Sequence, residues 1–192
     1  TGNDILIGGA GADTLDGGSG TDSVSYVTSS TGITASFASG SLVVTGGDAA
    51  GDVFVSIEGV IGTAQADSFT GGSGAENMDG GAGDDSFTGS AGADILTGGS
   101  GTDTIDYSAS ASGITLYLSG ATSSGGDAAG DVVTGFEIVI GTGFADSIYG
   151  TAVAETIHAG GGDDVLAGAG GADVLDGGAG TDTADYSSSG SA

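Results

Sequence analysis

Large apolar residues recur at every ninth position over much of the chain, each between two smaller or polar neighbours. From Gly80 to Asp106 the sequence reads GGAGDDSFT GSAGADILT GGSGTDTID, which is three unbroken nine-residue units. Phe87, Leu96 and Ile105 take the eighth position of these units. Alternation along an extended chain sends that residue to one side and its two neighbours to the other. The pattern therefore predicts one short strand per unit, with the eighth residue in the interior.

Glycines and an acid at fixed places precede each predicted strand. In the first of these units, Gly80, Gly81 and Gly83 allow a tight turn that aims carbonyl oxygens at one point, and Asp85 adds a carboxylate. Calcium takes about six to eight oxygen ligands and accepts main-chain carbonyls among them. One loop offers too few oxygens, so neighbouring loops have to share each ion.

This nonapeptide is similar to the calcium-binding repeat of RTX proteins, and the chain resembles that family over most of its length. The resemblance implies an all-β fold: a right-handed parallel β-roll or β-helix solenoid that holds several Ca²⁺ ions. In that fold two units form one coil, and loops two units apart stack on one edge and share ions. The loop ending at Asp85 would then face those ending at Asp67 and Asp103, and the loop ending at Asp94 would face the one ending at Glu76.

Aspartates at the sixth position of the calcium-type units are the candidate metal ligands. They are Asp4, Asp13, Asp22, Asp67, Asp85, Asp94, Asp103, Asp146, Asp164, Asp173 and Asp182. Glu76 and Glu155 take the same position, and the sequence allows either a bound ion or a vacant loop there. Candidate carbonyl ligands are the backbones of Gly81, Gly83, Gly99, Gly101, Gly178 and Gly180.

Two calcium-type loops depart from the glycine pattern. The loop ending at Asp67 carries Thr63, Ala64 and Gln65 in the glycine-rich turn, and the loop ending at Asp146 carries Phe144 at position four. We therefore expect weaker metal binding at these two aspartates.

Two strand-like stretches interrupt the units, at residues 26–61 and 107–140, and each contains the sequence GGDAAGD. We interpret both as β inserts that continue or cap the roll without regular ions. The units occupy residues 1–25, 62–106 and 141–185, and residues 186–192 are the start of a third insert or a tail. The phrases beginning at Gly20, Gly101 and Gly180 repeat at offsets of 81 and 79 residues. A super-repeat of about eighty residues thus lies above the nonapeptide.

Other polar and aromatic residues have a simpler interpretation and an alternative. Asp48, Asp52, Asp127 and Asp131 of the GGDAAGD loops are predicted to lie in solvated turns, with calcium binding as the alternative. Glu58 and Glu137 are predicted to point outward, and His158 to lie at the surface. Tyr26, Tyr107 and Tyr186 are predicted to pack where the fold changes, with a sugar-stacking platform as the alternative.

Composition restricts the conditions under which such a chain can fold. Its 192 residues include 26 acids and 44 glycines but no Lys, Arg, Cys or Pro. Charge of this kind normally favours disorder, and each unit adds only about one large apolar side chain. Metal ions must therefore hold the coils together, so we expect the calcium-free chain to be expanded and the loaded chain to be folded.

Composition also narrows the function. Without basic residues the chain cannot neutralise phosphates, which argues against a nucleic-acid partner, and no stretch approaches the length of a transmembrane segment. No Ser/His/Asp or Cys/His arrangement is present, and no pair of carboxylates stands apart as an acid and base, so we expect no enzymatic activity.

The leading hypothesis is a calcium-dependent structural module of a large secreted or cell-surface bacterial repeat protein, of the adhesin, S-layer or extracellular-fibre type. Its candidate partners are calcium, further copies of itself in fibres or lattices, and polysaccharide. The alternative, implied by the resemblance, is a C-terminal folding and secretion module of an exported enzyme such as a protease, lipase or alginate epimerase. Ice or carbohydrate binding ranks third, because Thr21, Thr102 and Thr181 are too sparse to form a ladder.

Overall fold

The computed structural model describes residues 1–187, and these residues contain short strands and two single-turn 3₁₀ helices but no α-helix. The first strands are β1 (Ile5–Leu6), β2 (Thr14–Asp16), β3 (Ser23–Ser25), β4 (Thr34–Ser36), β5 (Val43–Thr45), β6 (Val53–Val55), β7 (Gly59–Ile61), β8 (Ser68–Thr70), β9 (Asn77–Ala82), β10 (Ser86–Thr88), β11 (Ile95–Ser100) and β12 (Thr104–Asp106). They are followed by β13 (Thr115–Tyr117), β14 (Ser119–Thr122), β15 (Val132–Thr134), β16 (Ile138–Ile140), β17 (Ser147–Tyr149), β18 (Thr156–His158), β19 (Val165–Ala167), β20 (Val174–Asp176) and β21 (Thr183–Ala184). The 3₁₀ helices are Gly47–Ala49 and Gly126–Ala128. Within the described residues, no helix has the length and apolar character needed to cross a membrane.

Strands two units apart pair in parallel, as the nonapeptide pattern predicts. In β8, β10 and β12, Phe87 lies in register with Phe69 on one side and with Ile105 on the other. The intervening strands β9 and β11 pair with each other in a different sheet, with Leu96 opposite Met78. Two units therefore make one coil, and the predicted parallel β-roll is confirmed.

The strands form two sides of the roll because the chain alternates between them. On side one lie a seven-stranded sheet of order β1-β3-β7-β9-β11-β15-β14 and a four-stranded sheet of order β13-β17-β19-β21. On side two lie an eight-stranded sheet of order β20-β18-β16-β12-β10-β8-β4-β5 and the pair β2-β6.

The interior is a single row of side chains from each side. Phe87 is completely buried, and its ring stacks on Phe69 with centroids 4.5 Å apart and meets Phe136 edge-on at 5.0 Å. Leu96 and Ile105 are also completely buried, which confirms the prediction for the eighth position. The core is only as thick as one layer of these residues, so little apolar area is available to oppose the charge.

The first insert adds an antiparallel hairpin to side two and then returns to the roll in register. Strand β4 pairs antiparallel with β5 and stacks in parallel on β8. After the hairpin, β6 pairs with β2 and β7 pairs with β3, which places Phe54 opposite Leu15 and Val60 opposite Val24. Residues 26–61 therefore continue the roll and do not end it.

The second insert adds its hairpin to side one. Strand β13 stacks on β17, β14 pairs antiparallel with β15, and an isolated bridge joins Thr115 to Ser124. Thr115 follows Thr34, its counterpart in the first hairpin, by 81 residues, which is nine units. Because nine is odd and successive units alternate, equivalent segments lie on opposite sides of the roll.

We expect Phe87→Ala to lower the free energy of unfolding by about 3–5 kcal/mol, because it opens a cavity between Phe69 and Phe136 in a one-layer core. The measurement is denaturant unfolding in saturating calcium. Ser86→Ala is the matched control, since Ser86 lies on the exposed face of the same strand. Equal losses in the two variants would contradict the assignment of the interior.

Candidate metal centres

The acids at the sixth positions are joined from coil to coil by hydrogen bonds from the backbone. The Asp67 N–H donates to Oδ1 of Asp85 at 2.8 Å, and the Asp85 N–H donates to Oδ1 of Asp103 at 2.8 Å. On the other edge the Glu76 N–H donates to Oδ1 of Asp94 at 2.9 Å. The loops that face each other are thus the predicted ones. We call the acids that follow one another along an edge an acidic column.

Several carboxylates in these columns have a second oxygen that is buried and has no hydrogen-bond partner in the protein. These atoms are Oδ2 of Asp13, Asp22, Asp85, Asp103 and Asp164, and Oε2 of Glu155. A buried carboxylate oxygen without a donor is costly unless a cation faces it. The chain has no Lys or Arg that could serve, so a bound metal ion is the group that these atoms fit.

Glycine at the first position lets a carbonyl of the next coil approach the unpartnered oxygen. A Cβ on Gly80 would lie 2.3 Å from Oδ2 of Asp85 and 2.4 Å from the carbonyl oxygen of Gly98, so any side chain there would clash with both. The predicted carbonyl donors Gly81, Gly83, Gly99, Gly101, Gly178 and Gly180 all have positive φ, between 83° and 146°. The resulting donor set is all oxygen, carboxylate plus carbonyl, which is the set that calcium prefers.

The aspartates of the two irregular loops have protein donors on both oxygens. Oδ2 of Asp67 accepts the Thr63 N–H at 2.6 Å, and Oδ1 accepts the Thr63 hydroxyl at 3.1 Å and the Ile33 N–H at 2.7 Å. The second copy repeats this arrangement at Asp146, with the Thr142 N–H at 2.7 Å and the Thr142 hydroxyl at 3.0 Å. Threonine in place of the second glycine therefore supplies hydrogen-bond donors to the carboxylate oxygens that a metal ion would otherwise contact.

The two glutamates of the calcium-type units differ. Oε1 of Glu155 accepts the N–H and the hydroxyl of Thr151, while Oε2 is left buried and unpartnered. Oε2 of Glu76 accepts the Gly72 N–H at 3.1 Å. The geometry thus fits a cation better at Glu155 than at Glu76, a choice that the sequence left open.

Four candidate ligands have a less enclosed or differently bonded carboxylate. Asp4 and Asp182 are exposed and Asp173 is half-buried, since these three lie in the outermost coils of the described residues. Each is still joined to its column, for example through the Asp164 N–H, which donates to Oδ1 of Asp182 at 3.1 Å. Oδ2 of Asp94 accepts the Ser90 hydroxyl at 3.3 Å.

The inserts also contribute acids to the columns, which the favoured sequence interpretation did not predict. The Asp94 N–H donates to Oδ1 of Asp131 at 2.9 Å, and the Asp13 N–H donates to Oδ1 of Asp52 at 2.9 Å. Asp131 is completely buried and Asp52 half-buried, so the favoured prediction of a solvated turn is wrong for both. Their side chains continue the hydrogen-bond pattern of the regular coils.

Glu58 and Glu137 also join the columns, so the prediction that they point outward is wrong. The Asp22 N–H donates to Oε2 of Glu58 at 2.9 Å, and the Asp103 N–H donates to Oε2 of Glu137 at 2.9 Å. A signal was present in the sequence, because each glutamate precedes Glu76 or Glu155 by 18 residues, the length of one coil.

The two tyrosines at the start of the inserts are interior residues. Tyr26 and Tyr107 are 2% and 1% exposed, and their hydroxyls donate to Oδ2 of Asp52 at 2.8 Å and of Asp131 at 2.6 Å. Burial, together with these aspartates, raises the pKa of both hydroxyls, so they keep their protons and act as donors. The packing interpretation is confirmed for both, and neither ring can serve as a sugar platform. Tyr186, by contrast, is 69% exposed.

The single histidine lies on the outer face of side two, as predicted. Its Nδ1 is 3.3 Å from Oδ2 of Asp176 on the neighbouring strand β20, and both side chains are about half exposed. No cluster of three metal-binding side chains forms around it or elsewhere among residues 1–187. The candidate centres are therefore built from one carboxylate per loop plus carbonyls.

Burial and mutual repulsion raise the pKa values of the column acids. Burial raises the pKa of Asp85 to about 6, and the charges of Asp67 and Asp103 add to the effect. Burial also raises the pKa of Asp94, with Asp131 and Glu76 as the repelling charges. In the absence of a cation the folded column therefore binds protons more tightly than an unfolded chain does.

We expect the calcium-free chain to become more folded on acidification. Between about pH 4, near the ordinary pKa of aspartate, and pH 6, Asp85 is protonated in the fold but ionised in the unfolded chain, so stability falls as the pH rises through this window. Circular dichroism of the chelator-treated chain between pH 3.5 and 7.5 is the measurement. In millimolar calcium the trend should reverse, because the ion binds the ionised carboxylate. A calcium-free β signal that grew with pH would contradict this assignment.

The family comparison agrees with the geometry. The family model for the RTX calcium-binding nonapeptide repeat matches the chain four times, at residues 1–25, 60–87, 70–105 and 149–184, which together cover more than half of its length. No curated protein matches the chain. The matched segments contain all six unpartnered carboxylate oxygens described above. The chain belongs to the RTX calcium-binding nonapeptide-repeat family.

Proposed function

We propose that this chain is a calcium-dependent structural module of a large secreted or cell-surface bacterial repeat protein. The observation that carries the proposal is the set of buried, unpartnered carboxylate oxygens along both edges of a thin roll. These atoms have no role in a metal-free fold, and calcium would neutralise and bridge them.

Most acids with an unpartnered oxygen do two things, as Asp103 shows. One carboxylate oxygen of Asp103 fixes the register of the coils by accepting the Asp85 N–H, and the other is left for an ion. Asp13, Asp22, Asp85, Asp164 and Glu155 would hold calcium in the same way, together with glycine carbonyls. Bound calcium supplies the positive charge that the sequence lacks.

Calcium dependence supports a role outside the cell. Extracellular calcium modules typically bind with dissociation constants of ~10⁻⁴ to 10⁻³ M, far above cytosolic free calcium. A roll with this donor set would therefore form after export, and a secreted or surface location follows as part of the proposal.

A structural role is supported by the hydrogen bonds that hold the column acids in place. Column acids such as Asp85 and Asp103 each accept a backbone N–H from the neighbouring coil, so they are fixed in place and spaced as ligands. No basic residue stands beside them to act in acid–base chemistry. We therefore propose no enzymatic activity.

Self-association and polysaccharide binding are candidate uses of the outer faces, where Val43, Val53 and Val55 are exposed near the first hairpin.

A folding and secretion module of an exported enzyme is the second candidate function. It would use the same calcium geometry, so the acidic columns do not distinguish the structural module from the enzyme-linked module. The super-repeat, with two inserts of the same plan in one chain, favours the structural module. A catalytic domain encoded upstream would favour the enzyme-linked role.

The calcium requirement is tested by removing and restoring the ion. We expect a chelator to remove the β-type circular dichroism of the regular coils and millimolar calcium to restore it, while native mass spectrometry counts the bound ions. A spectrum that is unchanged in chelator at neutral pH would overturn the proposal.

We expect Asp103→Asn to lose at least one ion and to raise the calcium midpoint by roughly tenfold or more. The asparagine oxygen can still accept the Asp85 N–H, so the change removes the charge and keeps the register. Asp127→Asn is the matched control, because Asp127 lies in the 3₁₀ turn of the insert and outside the columns. Equal effects of the two substitutions would indicate a general charge effect and not a site.

A further inference from the structure

We propose that the hydroxyls of Tyr26 and Tyr107 each bond a carboxylate oxygen of the acidic columns that a metal ion would otherwise bind. The inserts would then hold together without calcium. This inference rests on the proposed function, because it concerns which positions of the columns bind ions. Its subject is the one tyrosine–aspartate contact in each insert, from Tyr26 to Asp52 and from Tyr107 to Asp131.

The comparison of Asp131 with Asp103 shows what the tyrosine does. Both aspartates accept a backbone N–H of the preceding coil on Oδ1, from Asp94 and Asp85 respectively. Oδ2 of Asp103 is buried without a partner, whereas Oδ2 of Asp131 accepts the Tyr107 hydroxyl at 2.6 Å. The phenol thus supplies the donor that a metal ion would supply at Asp103.

The first insert repeats the same arrangement. The Tyr26 hydroxyl donates to Oδ2 of Asp52 at 2.8 Å, and Oδ1 of Asp52 accepts the Asp13 N–H at 2.9 Å. The contact recurs although the two hairpins lie on opposite sides of the roll.

At the other border of each hairpin, a threonine hydroxyl bonds the aspartate of the column. The Thr63 hydroxyl and N–H satisfy Asp67, whose Oδ1 also accepts the N–H of Ile33 from the hairpin. The loop ending at Asp67 therefore stacks on the hairpin on one face and on the loop ending at Asp85 on the other. Protein donors to both oxygens of Asp67 thus stand where an ion would otherwise bind.

The consequence is a roll with two kinds of coil. Regular coils have carboxylate oxygens that only a cation can satisfy, whereas the borders of the inserts are satisfied by tyrosine and threonine. The Tyr107 hydroxyl bonds Oδ2 of Asp131 directly, so we expect this contact to persist without calcium. As calcium falls, the regular coils lose their bridges first, and the inserts are the segments from which the roll can re-form.

Amide hydrogen exchange of the full chain in chelator tests this order. We expect the amides of Asp94 and Ile114, which donate to the aspartates at the insert borders, to stay at least roughly tenfold more protected than those of Asp85 and Thr104. Uniform loss of protection along the chain would overturn the inference.

Tyr107→Phe removes the hydroxyl and keeps the ring, so it should abolish the extra protection around Asp131. Tyr117→Phe is the matched control, because Tyr117 stacks on Tyr149 at 4.9 Å on the outer face of side one and should change nothing. Equal protection in the two variants would also overturn the inference.

Ion counting separates failure of this inference from failure of the proposed function. We expect Asp131→Asn to leave the number of bound calcium ions and the calcium midpoint unchanged, because its amide can donate to the tyrosine oxygen, while Asp103→Asn loses an ion. Loss of an ion in Asp131→Asn would show that Asp131 binds metal. It would overturn the role given to the tyrosine but not the proposed function. If the unsubstituted chain bound no calcium, the proposed function would fail, and the comparison of Tyr107→Phe with Tyr117→Phe would still decide whether the hydroxyl holds the insert.

Discussion

The two oxygens of most column carboxylates have different partners, and the rest of the structure depends on this division. One oxygen accepts a backbone N–H and fixes each coil over the next, as in the contact from Asp85 to Asp103. The other must find a donor or a cation in a chain with 26 acids and no Lys or Arg. Where a hydroxyl or backbone N–H of the protein bonds this second oxygen, the position needs no ion. Elsewhere a cation from solution has to stabilise it.

The thin core explains why this division matters so much. A globular domain of this length would bury several layers of apolar side chains, but here one row from each side, such as Phe87 and Leu96, fills the interior. The apolar area per residue is correspondingly small, and the conformational freedom of 44 glycines opposes folding. Coil-to-coil contacts at the edges, and not the core alone, therefore determine whether the roll is the stable state.

The regular coils could be predicted from the sequence because their information is local. A period of nine residues fixes the position of Phe87 in the interior and of Asp85 at the edge, and a coil of two units fixes which loops meet. The roles of Asp131 and Glu137 could not be derived in this way, since they depend on the chain rejoining the roll in register after a hairpin. Whether a second oxygen is already satisfied, as Thr63 satisfies Asp67, is visible only when the donors are placed in space.

The odd number of units between the two hairpins has a consequence for longer arrays. A hairpin adds two strands to one side only, which lengthens that side by about 10 Å and must tilt the axis of the stack toward the other. The next hairpin lies on the opposite side, so it would tilt the axis back. A rod built by repeating this segment would zigzag about a straight line, whereas an even spacing would curl it steadily into an arc.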